Sequence, residues 1–169
     1  MTDERRRIEE FVVAAKAFRE LCESAEELGC GRVLSGLARA LPRLQATAAA
    51  LPNVWPGSDR LPFEDSERER RTLPDAFERC LPTDWTEVQA NLHETIDGGE
   101  SRATSLLLND LGDIYDEVAE GFDILVAGLP EEEAVWHWQF GFWTHWGIHL
   151  AEAQRLIHYH VALNALHAE

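Results

Sequence analysis

From Glu131 to Glu169 the chain runs without a proline, directly behind Pro130, and this stretch carries four of the six tryptophans and six of the seven histidines. A proline followed by Glu131, Glu132 and Glu133 starts a helix well, because acidic side chains offset the unpaired N–H groups and the positive dipole at a helix N-terminus. At about 100° per residue, Trp138, Phe142, His145, His149, Leu156, His160 and Leu163 fall on one side. Trp146, Ala153, Ile157, Trp143, Leu150 and Val161 widen that arc. His137, Thr144, Glu152, Arg155 and Tyr159 fill the narrow remainder. An apolar arc this wide suits a helix surrounded on most sides rather than one lying on a surface. Residues 131–167 are therefore predicted to form a long central helix, with Gly141 and Gly147 allowing neighbours to approach closely.

A central helix needs enough chain to surround it. With 169 residues, one domain spanning residues 1–169 is expected, large enough to bury a core. The formal net charge of −16 repels phosphate backbones and anionic lipid, which argues against nucleic-acid and membrane partners. The basic run Arg5-Arg6-Arg7 is flanked by Asp3, Glu4, Glu9 and Glu10 and reads as a solvated helix face. No apolar run approaches transmembrane length and the charged N-terminus is not a signal peptide, so a cytoplasmic location is expected. Cys22, Cys30 and Cys80 are odd in number and lack a C-x-x-C spacing. Reduced thiols fit that pattern best, and it excludes a zinc ribbon.

The remaining segments supply the partners. Residues 2–28 are predicted as a helix capped by Thr2, with Ile8, Phe11, Val12, Ala15, Phe18, Cys22 and Ala25 on one face and Gly29 as its stop. Residues 31–51 form a second, with Val33, Leu37, Leu41, Leu44, Ala48 and Leu51 inward, kinked or split near Pro42. Residues 52–100 read as a loop with short helical pieces around Leu73, Phe77, Leu81 and Val88, and Trp55 is expected to be pinned on the bundle. Residues 101–127 form a helix capped by Ser101, with Leu107, Leu111, Ile114, Val118, Phe122 and Leu125 as its core stripe. The short Gly128-Leu129-Pro130 turn makes it antiparallel to the central helix. The expected fold is an all-α, single-domain bundle of about four main helices with short helical inserts.

Chemistry concentrates on the last two helices. Asp110, Asp113 and Glu117 follow one another at helical spacing, with Asp110 closest to the core stripe, while Asp116, Glu120 and Asp123 are expected to point toward water. His145 and His149 lie one turn apart on the facing helix, and Glu152 borders them. Two histidines at i, i+4 can reach one ion, and carboxylates from a neighbouring helix complete a mixed nitrogen and oxygen shell suited to zinc, iron or manganese. The candidate ligands of such a divalent metal are His145, His149, Asp110 and Asp113. The competing reading pairs each histidine with one carboxylate and needs no metal. Trp136 and Trp143 sit at the arc's edge and form a candidate patch for a protein partner or a second copy of the chain. No nucleophile stands beside a base in a recognisable motif.

The run Asn109-Asp110-Leu111-Gly112-Asp113-Ile114-Tyr115-Asp116, followed by Trp136 and by Phe142-Trp143-Thr144-His145-Trp146-Gly147-Ile148-His149, resembles the bacterial domain-of-unknown-function family 5063. The Leu-Pro pairs at Leu41-Pro42 and Leu51-Pro52 fit its leading helices. The resemblance implies an all-helical cytosolic bacterial protein with no assigned activity, and it draws attention to Asp110, Asp113, Tyr115, His145, Trp146 and His149. With Glu117 and Glu152 these make the candidate site lining. The resemblance supplies no function, and the residues give a first expectation and an alternative to it. The first is a non-enzymatic interaction or accessory protein; the alternative is a metal-binding protein, hydrolytic if a bound water is activated, with its site between the last two helices.

Overall fold

The hydroxyl of Thr2 accepts the N–H of Arg5 at 3.3 Å and opens the first helix, in a computed structural model that describes residues 2–57, 71–84 and 100–166. That helix, α1, spans Asp3–Glu23 and buries Phe11, Ala14, Ala15, Phe18 and Cys22 along one face. A break at Ser24 separates it from the single turn α2, Ala25–Leu28, and Gly29 at φ 74° turns the chain into α3, Cys30–Ala49. Pro42 lies inside α3 without splitting it. It cannot donate to the carbonyl of Ala38, but Leu37, Leu41, Leu44 and Ala48 are all buried, and this packing holds the helix continuous across the missing bond.

Leu51 and Pro52 anchor the start of the following loop. Trp55 does not; it is 83% exposed, contrary to the expectation that the bundle would cover it. The short helix α4, Asp75–Glu78, turns Leu73, Phe77 and Leu81 inward. Val88 lies outside the described residues. Cys80 is joined to Cys30 by a disulfide across a sequence separation of 50, and Cys22 is a buried free thiol. The expectation of three reduced cysteines is thus corrected. Packing of α4 against α2, which leads into α3, brings together two sulfurs that sequence spacing kept apart.

Helix α5, Glu100–Val126, turns Leu107, Leu111, Ile114, Val118 and Phe122 into the core. It ends where Gly128 adopts φ 76° and Leu129 returns its N–H to Ile124 at 3.2 Å, a glycine-dependent stop that reverses the chain. Then comes α6, Glu131–Gly141, continued by a π-helical turn over Phe142–Trp146 and by α7, Gly147–Leu166. The expected central helix is therefore one rod with a wide turn inside it. The long helices close a ring, α1 against α3, α3 against α7, α6 and α7 against α5, and α5 against α1. Among the described residues there is no strand, and no helix is long and apolar enough to cross a membrane.

Trp138 and Trp146, both fully buried, fill the middle. Phe11 lies 5.0 Å from Trp138 between ring centroids, Phe122 lies 5.1 Å from it edge-on, and Phe142 stands 5.0 Å from Trp146. The Trp138 indole N–H donates to the carbonyl of Val118 at 3.1 Å, which satisfies its buried polar atom.

Candidate metal centre between the last two helices

The π turn places the histidines. Gly147 donates its N–H to Phe142 five residues back, which adds one residue to the turn. Everything beyond it is rotated by about 100° relative to an unbroken α-helix. With that correction Trp138, Phe142, Trp146, Leu150 and Ile157 form one straight buried stripe. His145 and His149 leave the apolar arc to which a uniform wheel assigns them and come to its edge, facing α5. The His145 side chain is 49% exposed and that of His149 28%, so solvent reaches both. A Cβ on Gly147 would stand 2.2 Å from the Phe142 carbonyl oxygen, which makes glycine a condition of this turn.

Across from them, α5 presents its acids as a ladder. His149 Nδ1 donates to Asp110 Oδ1 at 2.8 Å, and its Nε2 lies 3.4 Å from Asp113 Oδ2. His145 Nδ1 donates to Glu117 Oε1 at 2.9 Å. His137 Nε2 lies 3.3 Å from the Glu117 carbonyl oxygen, 3.4 Å from Glu117 Oε2 and 3.7 Å from Glu120 Oε2. As one helix advances from residue 137 to 149, its partners on α5 retreat from 120 to 110, the register of an antiparallel pair. A carboxylate accepts only, so a ring proton on Nδ1 satisfies both of these contacts, and in that tautomer each Nε2 carries a lone pair that can meet a cation.

Two groups of ligand atoms result among the described residues. Asp113, His145 and His149 each offer one ligand atom, all within 4.8 Å of one another, and so do Glu117, Glu120 and His137. Burial raises the pKa of Asp110 above the ordinary aspartate value, and the hydrogen bond from His149 works against that rise. The rings of His145 and His149 meet edge to face at 5.0 Å.

Other candidates fall elsewhere. Tyr115 points away from the ladder and donates to Glu23 Oε1 of α1 at 3.1 Å. Trp146 is buried beneath the site, its indole nitrogen without a hydrogen-bond partner. Glu152 is exposed and holds Arg155 at 2.9 Å. Trp136 is half-buried and stacks on Phe140 at 5.1 Å, whereas Trp143 is 64% exposed. Asp116, Glu120 and Asp123 were expected to face water, but Asp116 is buried and accepts the backbone N–H of Arg71 at 2.9 Å. Asp123 pairs with the Arg71 guanidinium, and Glu120 faces His137. Helix α5 has neighbours on several sides, so a single core stripe understates how much of it is covered. His137 and Glu120 are the site residues that a uniform wheel misses; the antiparallel register through His149 and His145 is the signal that leads to them.

The chain matches the model of the family described as Domain of unknown function (DUF5063) over residues 2–163. The crystal structure of protein BF1032 from Bacteroides fragilis is similar, with a TM-score of 0.61 and 21% identity over 90% of each chain. That likeness concerns the fold alone. None of the curated proteins matches the chain.

Proposed function

The chain belongs to the family described as Domain of unknown function (DUF5063), and we propose that it is a metal-binding protein with Asp113, His145 and His149 as the ligands of a divalent cation. One observation carries the reading. The ligand atoms of these three residues lie within 4.8 Å of one another while the Nδ1 atoms of the two histidines are held by separate carboxylates. A histidine that gives one ring N–H to a carboxylate and turns the other nitrogen to a metal is the usual arrangement around zinc and related ions. In this reading Asp110 and Glu117 position the ligating rings, and Asp113 supplies the oxygen. Three protein ligands leave a position for water, which is what metal-assisted hydrolysis requires. The mixed nitrogen and oxygen set suits zinc, iron or manganese.

The test is the metal content of protein purified without an affinity tag, read by elemental analysis for the wild type and for His145→Ala/His149→Ala. Loss of one equivalent of metal in a folded double variant supports the site. A wild type that neither contains nor takes up zinc, iron or manganese rejects it.

A second reading is an interaction protein. Trp143, Phe140 and Ile148 are large, exposed and close in sequence on one helix, an apolar strip of the kind that a second copy of the chain covers. Sedimentation that shows dimers in the wild type and monomers in Trp143→Ala supports it; a monomer at all concentrations removes it. A cytoplasmic location belongs to the proposal as well. The Cys30–Cys80 bond weighs against it, since disulfides persist mainly in oxidising compartments. Alkylation of the protein directly in lysing cells, read by mass, decides the point: a cytoplasmic chain shows Cys30 and Cys80 modified, and an exported one shows them protected.

A further inference from the structure

We infer that Glu117, Glu120 and His137 form a second divalent-cation site, joined to the Asp113, His145 and His149 site through the two oxygens of Glu117. The inference rests on the metal reading above and adds a second ion to it.

The geometry supplies three arguments. His137 Nε2 lies 3.4 Å from Glu117 Oε2 and 3.7 Å from Glu120 Oε2, and one ligand atom from each residue falls within the same 4.8 Å. An ion of ordinary size draws such a set together by small side-chain movements. Glu117 is divided between the two places, since its Oε1 accepts from His145 Nδ1 at 2.9 Å while Oε2 faces His137. Thirdly, Trp146 is fully buried and its indole nitrogen has no hydrogen-bond partner. A Cβ built on Gly141 would stand 3.1 Å from that nitrogen and 2.9 Å from Glu117 Oε2, so the orphaned donor and this oxygen border the same spot. A buried N–H without a partner calls for an acceptor, and an ion-bound water beside Glu117 provides one.

Coordination takes the lone pair of His137 Nε2, so the ring proton must sit on Nδ1 when the ion is bound. The contact of Nε2 with the Glu117 carbonyl at 3.3 Å is then given up. Glu117 thereby couples the sites: it is a ligand of the second ion and it orients a ligand of the first.

The experiment is calorimetric titration of metal-free protein with Zn²⁺, together with thermal unfolding of each variant. The expected result is two equivalents bound by the wild type, one by His137→Ala and one by Asp113→Ala. Glu120→Gln, milder than removal of a half-buried ring, is expected to lose the same equivalent as His137→Ala and keeps the test valid if the latter fails to fold. Glu117→Gln should lose the second equivalent and weaken the remaining site by about 10–100-fold, the usual effect of removing the partner of a ligating histidine. One equivalent in the wild type, unchanged by His137→Ala and Glu120→Gln but lost in Asp113→Ala, overturns the second site and leaves the first. One equivalent lost only in His137→Ala and Glu120→Gln overturns the first site and with it the joined pair, and leaves a single ion at Glu117, Glu120 and His137. No uptake by the wild type overturns both.

Discussion

Trp138 packs against Gly121, so close that a Cβ at Gly121 would stand 2.0 Å from the indole nitrogen. The same nitrogen donates to Val118 one turn earlier on α5. One of the two buried tryptophans of the core is thus seated on a helix that has no side chain at the point of contact.

Gly121→Ala should therefore destabilise the fold by about 2–4 kcal/mol, from overpacking of the indole and disturbance of its hydrogen bond. The midpoint of urea unfolding checks this. An unchanged midpoint would mean that Trp138 can move aside without cost, and that the contact does not hold α5 and α6 together.

The π turn yields a second expectation. Gly147→Ala sets a methyl group against the Phe142 carbonyl, so the wide turn should tighten or shift at a cost of about 1–3 kcal/mol. His145 and His149 would lose their common phase toward α5, and Zn²⁺ affinity should fall. Gly112→Ala is the control, because a Cβ there meets nothing within 4 Å. In the interior of α5 it should raise stability by about 0.5–1 kcal/mol and leave metal binding intact. Equal effects of the two variants on affinity would detach the site from the π turn.

The phenol of Tyr115 gives a pH signature. Burial, then the negative charge and hydrogen bonding of Glu23, push its pKa from the ordinary 10.0 up to about 12. A folded-state value above the unfolded one adds stability that is fully present below pH 10 and is lost as pH rises through about 12. Tyrosinate absorbance should thus show a late phase that Tyr115→Phe removes. A wild type in which all tyrosine titrates near pH 10 would contradict the buried contact between α5 and α1.

Much of the bundle is legible in the pattern of apolar residues, and particular residues show where that legibility ends. Val33, Leu37, Leu41, Leu44, Ala48 and Leu51 recur at helical spacing and all are buried, because a helix packed on one side obeys a single period. His145 and His149 stand out as a pair, but their direction depends on one extra residue in a turn, and a uniform wheel has no means of registering it. The partners of Arg71 on Asp116 and Asp123, and of Cys30 on Cys80, depend on how distant segments pack, which local spacing does not encode. Trp55 illustrates the opposite limit. Hydrophobicity alone argues for burial, yet of this segment Leu51 and Pro52 are buried and Trp55 is left exposed.

The bond between Cys30 and Cys80 makes everything between them a covalent ring. A protease that nicks the chain anywhere inside this loop produces two peptides that remain a single molecule, separable only after reduction. The bundle would then keep α1 and α3 tethered to α5 through the bridge despite an interrupted backbone. Any loss of function on nicking would have to come from the cut segment itself and not from separation of the halves.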